Sequence, residues 1–218
     1  MKNSNQFFQI NSILFFTILL LQSCGSLSSL QTAKVIGKGE ATIGAAAFAY
    51  GLTGNASGSG GDLTGVSAFP HLEAAGRYGL SNSVDLGLKI SSSGNFQLDG
   101  KVQFAGNLES KFAAAIGGGF EYQISDVSEN FVYRAHLPLY ISYHPTAKDG
   151  IYAVPRFIYQ SVSDGDNSNF IGGGMGYARR FSEHWTGILE GNLFGVQTDN
   201  SNSDELLYQI GVAGIYHF

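Results

Sequence analysis

Residues Leu206–Phe218, LLYQIGVAGIYHF, are the stretch on which the fold turns. From Tyr208 onward Tyr208, Ile210, Val212, Gly214, Tyr216 and Phe218 share one face, while Gln209, Gly211, Ala213, Ile215 and His217 share the other. A period of two is a β-strand. One face is apolar and ends in aromatic rings; the other is small and mixed. A strand of a water-soluble protein turns its apolar face to a core, whereas a strand that crosses a membrane turns it outward to lipid. The rest of the chain separates the two cases.

Charged residues make up 13% of the 218, against roughly 25% in ordinary soluble domains. There are 30 Gly, 16 Phe and 11 Tyr. Few charges with many glycines and rings describe a β-rich protein whose surface meets lipid. The net charge of −5 argues against a nucleic-acid partner, because phosphate binding needs a basic face. No run of 18 apolar residues follows residue 30, so a helical span is not expected beyond that point.

From Glu40 the chain is a succession of alternating runs broken by turn clusters. The pattern predicts ten strands: Glu40–Thr53, Ala68–Leu80, Val84–Ser92, Phe96–Gly106, Phe112–Ile124, Phe131–Tyr143, Ile151–Val162, Phe170–Phe181, Thr186–Val196 and the terminal strand. Each has about the 9–11 residues, or slightly more, that a tilted strand needs to cross a bilayer. The expected architecture is an all-β, transmembrane, antiparallel up-and-down barrel. Eight strands, obtained by merging the third and fourth runs with their neighbours, is the alternative. With the first strand starting on the periplasmic side, the longer connections Gly54–Gly65, Ser125–Asn130, Ser163–Asn169 and Gln197–Glu205 fall outside. The shorter turns fall mostly inside, as in such barrels.

The residues opposite the apolar stripes are expected to line the lumen. They include the acids Glu73, Asp85, Asp99, Glu121 and Glu190, the bases Arg77, Lys89, Lys101, Arg134 and Arg156, and His136. A selective pore usually carries a ring of one sign. Balanced charges in a narrow barrel can instead pair across it, and burial makes such pairing necessary. A lumen closed by ion pairs is therefore expected, with a narrow, porin-like pore as the alternative. His71 is placed near the outer rim, and Asp62, Asp164, Asp166, Asp199 and Asp204 in outer loops. These read as solvated loop charges rather than acid–base machinery, which needs a His within hydrogen-bond reach of a carboxylate. No nucleophile elbow and no Cys/His metal cluster occurs in the sequence, so neither an enzyme nor a metal or other cofactor is expected.

Three resemblances sharpen this reading. The terminal strand resembles the C-terminal signal by which outer-membrane β-barrels are recognised for insertion; Tyr216 and Phe218 fill its two hydrophobic positions, and Ala213 stands where Gly is common. At the other end, Lys2, the apolar core Ile13–Leu21 and Leu21-Gln22-Ser23-Cys24, with the chain's single Cys, resemble a bacterial lipoprotein signal. That resemblance implies a signal peptide at 1–23, cleavage before Cys24 and a covalent lipid on its thiol. Residues 24–39, rich in Ser and Gly toward both ends, then read as a lipidated tether, and 40–218 as the barrel. Across 40–218 the pattern resembles the small outer-membrane barrels of the OmpA type. The resemblances imply outer-membrane lipids and the barrel-assembly and lipoprotein-sorting machineries as partners, in the cell envelope of a diderm bacterium. The role expected is structural or passive, with surface binding through the outer loops as a further alternative. No sequence feature names an external ligand.

Overall fold

The computed structural model describes residues 26–53, 65–124, 131–163, 167–198 and 201–218, with side chains for all of these except 52–53, 65–70, 124 and 201–205. Ten strands form one closed sheet: β1 (Ala41–Thr53), β2 (Gly65–Ser81), β3 (Val84–Ser91), β4 (Asn95–Ala105), β5 (Phe112–Ile124), β6 (Phe131–Tyr143), β7 (Asp149–Val162), β8 (Ser168–Arg180), β9 (Trp185–Thr198) and β10 (Ser201–His217). Each strand pairs antiparallel with its sequence neighbours, and β10 returns to β1 in a register running from Thr42 opposite His217 to Thr53 opposite Leu206. Closure leaves no unpaired edge, which is what lets a sheet sit in lipid.

Strand boundaries depart from the sequence expectation by a few residues at most ends. The largest departure is between the last two strands. The connection expected at Gln197–Glu205 is taken up mostly by ladder, with β9 reaching Thr198 and β10 starting at Ser201. A hairpin that projects beyond the apolar belt keeps its hydrogen bonds in polar sequence, so loss of apolar alternation there does not end the strand. The eight-strand alternative is overturned: β3 and β4 are separate strands in continuous register from Val84 opposite Val102 to Ile90 opposite Phe96.

The outer wall is apolar. Leu88, Leu98, Val102, Ile116, Leu137, Leu189, Leu193 and Val212 are all exposed along its middle. Rings mark both ends of this belt. At the end that carries Ala41 and Phe218, called the terminal end, Tyr216 stacks on His184 and meets Trp185 and Phe218 edge-on. At the opposite end Phe120, Tyr122, Phe131 and Tyr133 form a second group. An aliphatic band between two aromatic girdles is the signature of a wall solvated by lipid.

The N-terminal residues correct one expectation. The described part of the expected tether does not lie outside the folded unit. Gly39 and Gly79 tie it to the terminal end through Gly39 N to Gly79 O and Gly79 N to Glu40 O, at 2.9 and 3.0 Å. From there the chain runs backward into the barrel. Ile36 meets Asp85 at the start of β3, and Ser28 meets Glu73 and Lys89 farther along β2 and β3. Cys24 and the signal residues lie outside the described residues.

Candidate functional site: the occupied lumen

Alternation on every strand sends one set of side chains inward, and the barrel's narrow bore makes that set a packed interior. Glu73, Asp85, Lys89, Lys101, Glu121, Arg134, His136, Arg156 and Glu190 are buried there, and Arg77 and Asp99 are nearly so. They form three groups with different partners.

Toward the terminal end, the Arg77 guanidinium reaches Asp85 at 2.5 Å and Asp99 at 2.7 Å, and Lys101 lies 3.5 Å from the second Asp85 oxygen. That oxygen also accepts the Ile36 N–H at 3.0 Å. Lys101 donates to the carbonyls of Thr32 and Lys34, at 2.9 and 2.8 Å. Toward the opposite end, Arg134 pairs with Glu121 at 2.5 Å and donates to Gln160 at 2.6 Å, while His136 Nε2 lies 3.1 Å from Glu121. This second group closes on itself within the wall.

The third group is organised by Glu190. Its carboxylate accepts five hydrogen bonds: from Ser29 N–H (2.7 Å), Ser29 Oγ (2.6 Å), Leu30 N–H (2.8 Å), Tyr152 OH (2.6 Å) and Asn192 Nδ2 (2.9 Å). Among the described residues no Lys or Arg forms an ion pair with it. Leu30 sits in the left-handed region at φ 52, an unusual setting for a branched residue. Successive N–H groups at such a bend converge on one anion, and here both fall on Glu190. Arg156, which forms no ion pair among the described residues, donates to the Leu27 and Ser28 carbonyls at 3.1 and 3.3 Å. Lys89 reaches Ser28 O at 2.9 Å and lies 3.7 Å from Glu73, which accepts the Ser28 hydroxyl.

The expectation that five acids and five bases close the lumen by pairing with one another is thus corrected in part. Arg77, Lys89, Lys101 and Arg134 do find carboxylates. Glu190 and Arg156 do not find each other; Arg156 is met by the Leu27 and Ser28 carbonyls, and Glu190 by Ser29 and Leu30 together with Tyr152 and Asn192. An uncompensated buried charge is costly, so both residues depend on the segment, which supplies three of the five donors to Glu190 and both acceptors of Arg156.

Two apolar clusters also fill the interior. Leu27 packs with Phe48, Tyr50, Ile158 and Phe194, and Ala33 with Ala113, Ala115, Tyr140, Tyr152 and Val154. Glycines opposite the largest rings make room for them. A Cβ on Gly176 would stand 2.2 Å from the Tyr152 ring, and one on Gly211 would stand 2.0 Å from Phe48. Beside the segment a space of about 50 Å³ remains, bordered by Gln31, Arg77, Lys89, Asp99 and His136, room for a few waters. At the terminal end the mouth opens as a concavity of about 350 Å³ rimmed by Lys34, Glu40, His144, Lys148, Arg180 and His217. In the β6–β7 connection at that mouth, burial and the nearby Lys34 ammonium lower the His144 pKa to about 4.

His71 is corrected as well. It is not a rim residue but a fully buried luminal one, 3.5 Å from Glu73 and edge-on to Tyr50. Asp62, Asp164, Asp166 and Asp199 lie outside the described residues, and the Asp204 side chain is not described. Among the described residues no group of three His, Cys, Asp or Glu side chains is arranged for a metal. Sequence reasoning missed Ser29, Leu30, Tyr140, Ser142 and Tyr152 as parts of this site. The signal lay in the inward faces of β1, β7 and β9. Phe48, Tyr50, Tyr152, Val154, Ile158 and Phe194 alternate there with outward residues, and rings and branched chains do not suit a water-filled bore.

No family model and no curated protein sequence matches the chain. Solved structures do. The outer membrane channel of Pseudomonas putida F1 aligns at a TM-score of 0.51 and 9% identity, over 88% of this chain and 100% of that one. The outer membrane protease OmpT of Escherichia coli aligns at 0.42 and 12%, over 88% and 100%. Neisserial surface protein A aligns at 0.40 and 8%, over 82% and 97%. At these identities only the fold is shared, and only the first alignment carries weight for it. By fold, the chain is a closed, ten-stranded, up-and-down antiparallel barrel of the outer-membrane type.

Proposed function

We propose that this chain is a small outer-membrane barrel of a diderm bacterium that does not conduct at rest, with a structural or surface role. The reading takes the terminal end as periplasmic, because the longest connection, between β1 and β2, lies at the other end. The observation that carries it is Glu190. A carboxylate with five hydrogen-bond donors, three of them from Ser29 and Leu30, is compensated only while the segment occupies the lumen. The bore is then a folded interior and not a water path. His71, fully buried against Tyr50 and Glu73, supports a non-enzymatic reading.

The export signal at 1–23 and the lipid on Cys24 belong to the same proposal. Labelled palmitate should enter the protein in cells and be lost in Cys24→Ala. Only Gly25 separates Cys24 from buried Ser26, so the lipid and the luminal segment cannot be placed independently. Conductance therefore has to be measured on both the acylated and the Cys24→Ala protein. In planar bilayers, folded protein (judged by heat-modifiable gel migration) should give no steady current. A steady current would replace this reading with a narrow pore.

A further inference from the structure

The wall holds Ser26–Ile36 chiefly by its main chain. Five amides donate to it: Ser29 and Leu30 to Glu190, Ala33 to Ser142 Oγ at 3.2 Å, Val35 to Gln103 Oε1 at 3.0 Å, and Ile36 to Asp85. Four carbonyls accept from three cations: Leu27 and Ser28 from Arg156, Ser28 also from Lys89, and Thr32 and Lys34 from Lys101. The segment's buried side chains are small or aliphatic, namely Ser26, Leu27, Ser28, Ala33 and Val35. Cations for carbonyls and acceptors for amides, spaced along one strand of chain, make a cradle for a polypeptide. Side chains add Ser28 to Glu73 and Lys89, Ser29 to Glu190 and Gln31 to Tyr140, fewer bonds than the main chain makes.

We infer that the lumen is a polypeptide-binding channel. Ser26–Ile36 is its resident occupant, and a second peptide segment with small side chains, supplied in trans, can take the resident's place. The inference rests on the closed-lumen reading above and adds the class of ligand that the lumen takes. Two observations support exchange. The segment is held by hydrogen bonds and a few apolar contacts, with Gly37–Glu40 as its covalent connection to the wall. The Arg134–Glu121 and Arg77–Asp85–Asp99 groups keep their ion pairs when it leaves. Arg156 then loses the Leu27 and Ser28 carbonyls, and Glu190 keeps only Tyr152 and Asn192 of its five donors, which favours a replacement main chain.

The test uses the full exported chain carrying Ala33→Trp. Ala33 has no exposed surface, so an indole at this position expels the segment while every wall residue stays native. Wild-type protein is silent, and Ala33→Trp conducts. A synthetic peptide of residues 26–36 then lowers the open fraction of Ala33→Trp at least about tenfold, saturably. A peptide keeping Leu27, Ala33 and Val35 with alanine elsewhere also blocks. One N-methylated at Ser29, Leu30 and Ile36 does not, because it lacks the donors that Glu190 and Asp85 receive. Ser29→Pro, which removes one of those donors from the resident segment, serves as the second variant.

Either variant folded but silent, or conducting and indifferent to peptide, overturns the inference. So does equal block by the N-methylated peptide, and so does failure of both variants to fold, which would make the segment an inseparable part of the core. A wild-type protein that conducts would instead overturn the closed-lumen reading, a result distinct from all of these.

Discussion

Arg134 and Glu121 face each other across β5 and β6 and satisfy one another, with Gln160 and His136 completing the group. Glu190 and Arg156 are equally buried on the same inner surface, yet neither has an ion-pair partner among the described residues, and each bonds the main chain of a segment that belongs to no strand, Glu190 with Tyr152 and Asn192 of the wall as well. Both sets of charges look alike in sequence, as polar residues in an inward register. The first stabilises the wall alone. The second records that something else occupies the bore. Charge paired with opposite charge marks a wall, and charge met by another segment's backbone marks an occupant.

The sharpest way to break this comparison is Glu190→Ala. It leaves the Ser29 and Leu30 amides, the Tyr152 hydroxyl and the Asn192 amide without their acceptor. Each buried donor left without an acceptor costs about 1–3 kcal/mol. The expected result is a lower urea midpoint together with a steady bilayer current; a stable, silent variant would show that the segment does not depend on this residue. Arg134→Met comes next. Glu121 retains His136 at 3.1 Å, so the expected cost is about 2–3 kcal/mol, with no current. Adding Glu121→Gln should recover most of the loss. A current from Arg134→Met would erase the distinction between the two groups.

Gly176→Ala tests the contact between ring and segment from the wall side. Its Cβ would meet the Tyr152 ring at 2.2 Å, and overpacking of this kind costs about 1–3 kcal/mol. Because Tyr152 bonds Glu190, brief current openings should accompany the loss, whereas Gly118→Ala, where the Cβ meets nothing within 4 Å, should change neither.

The smallest effect is one of pH. The folded His144 pKa of about 4 lies below its unfolded value of about 6.5. The unfolded state therefore binds more protons between those values, and stability falls as pH drops from about 6.5 toward 4. His144 contacts Ser142, which receives the Ala33 amide, so acid should loosen the segment at the terminal mouth. His144→Gln should flatten the pH dependence of the unfolding midpoint across that window. An unchanged slope would remove His144 from the segment's seat.

Much of the wall was legible in the sequence. Lipid imposes closed pairing and a period of two, and a one-residue slip would turn every Leu and Phe of a strand inward. The expected and observed ranges of the fifth and sixth strands coincide, and Glu73, Asp85, Lys89, Lys101, Glu121, Arg134, Arg156 and Glu190 are buried. The extensions of β9 and β10 were not legible, since outside the bilayer a strand needs no apolar face.

Residues 26–36 were the larger omission. Their serines, small residues and lack of period describe a linker by composition, and nothing local distinguishes a linker in water from one whose amides and carbonyls are taken up by a surrounding wall. Sequence by itself determined the strand count, the lipid-facing surface and the identity of the luminal charges, because each follows from local alternation. Tertiary structure alone decided which of those charges pair and what fills the bore. Those outcomes depend on contacts such as Leu30 with Glu190, 160 residues apart, which no local pattern encodes.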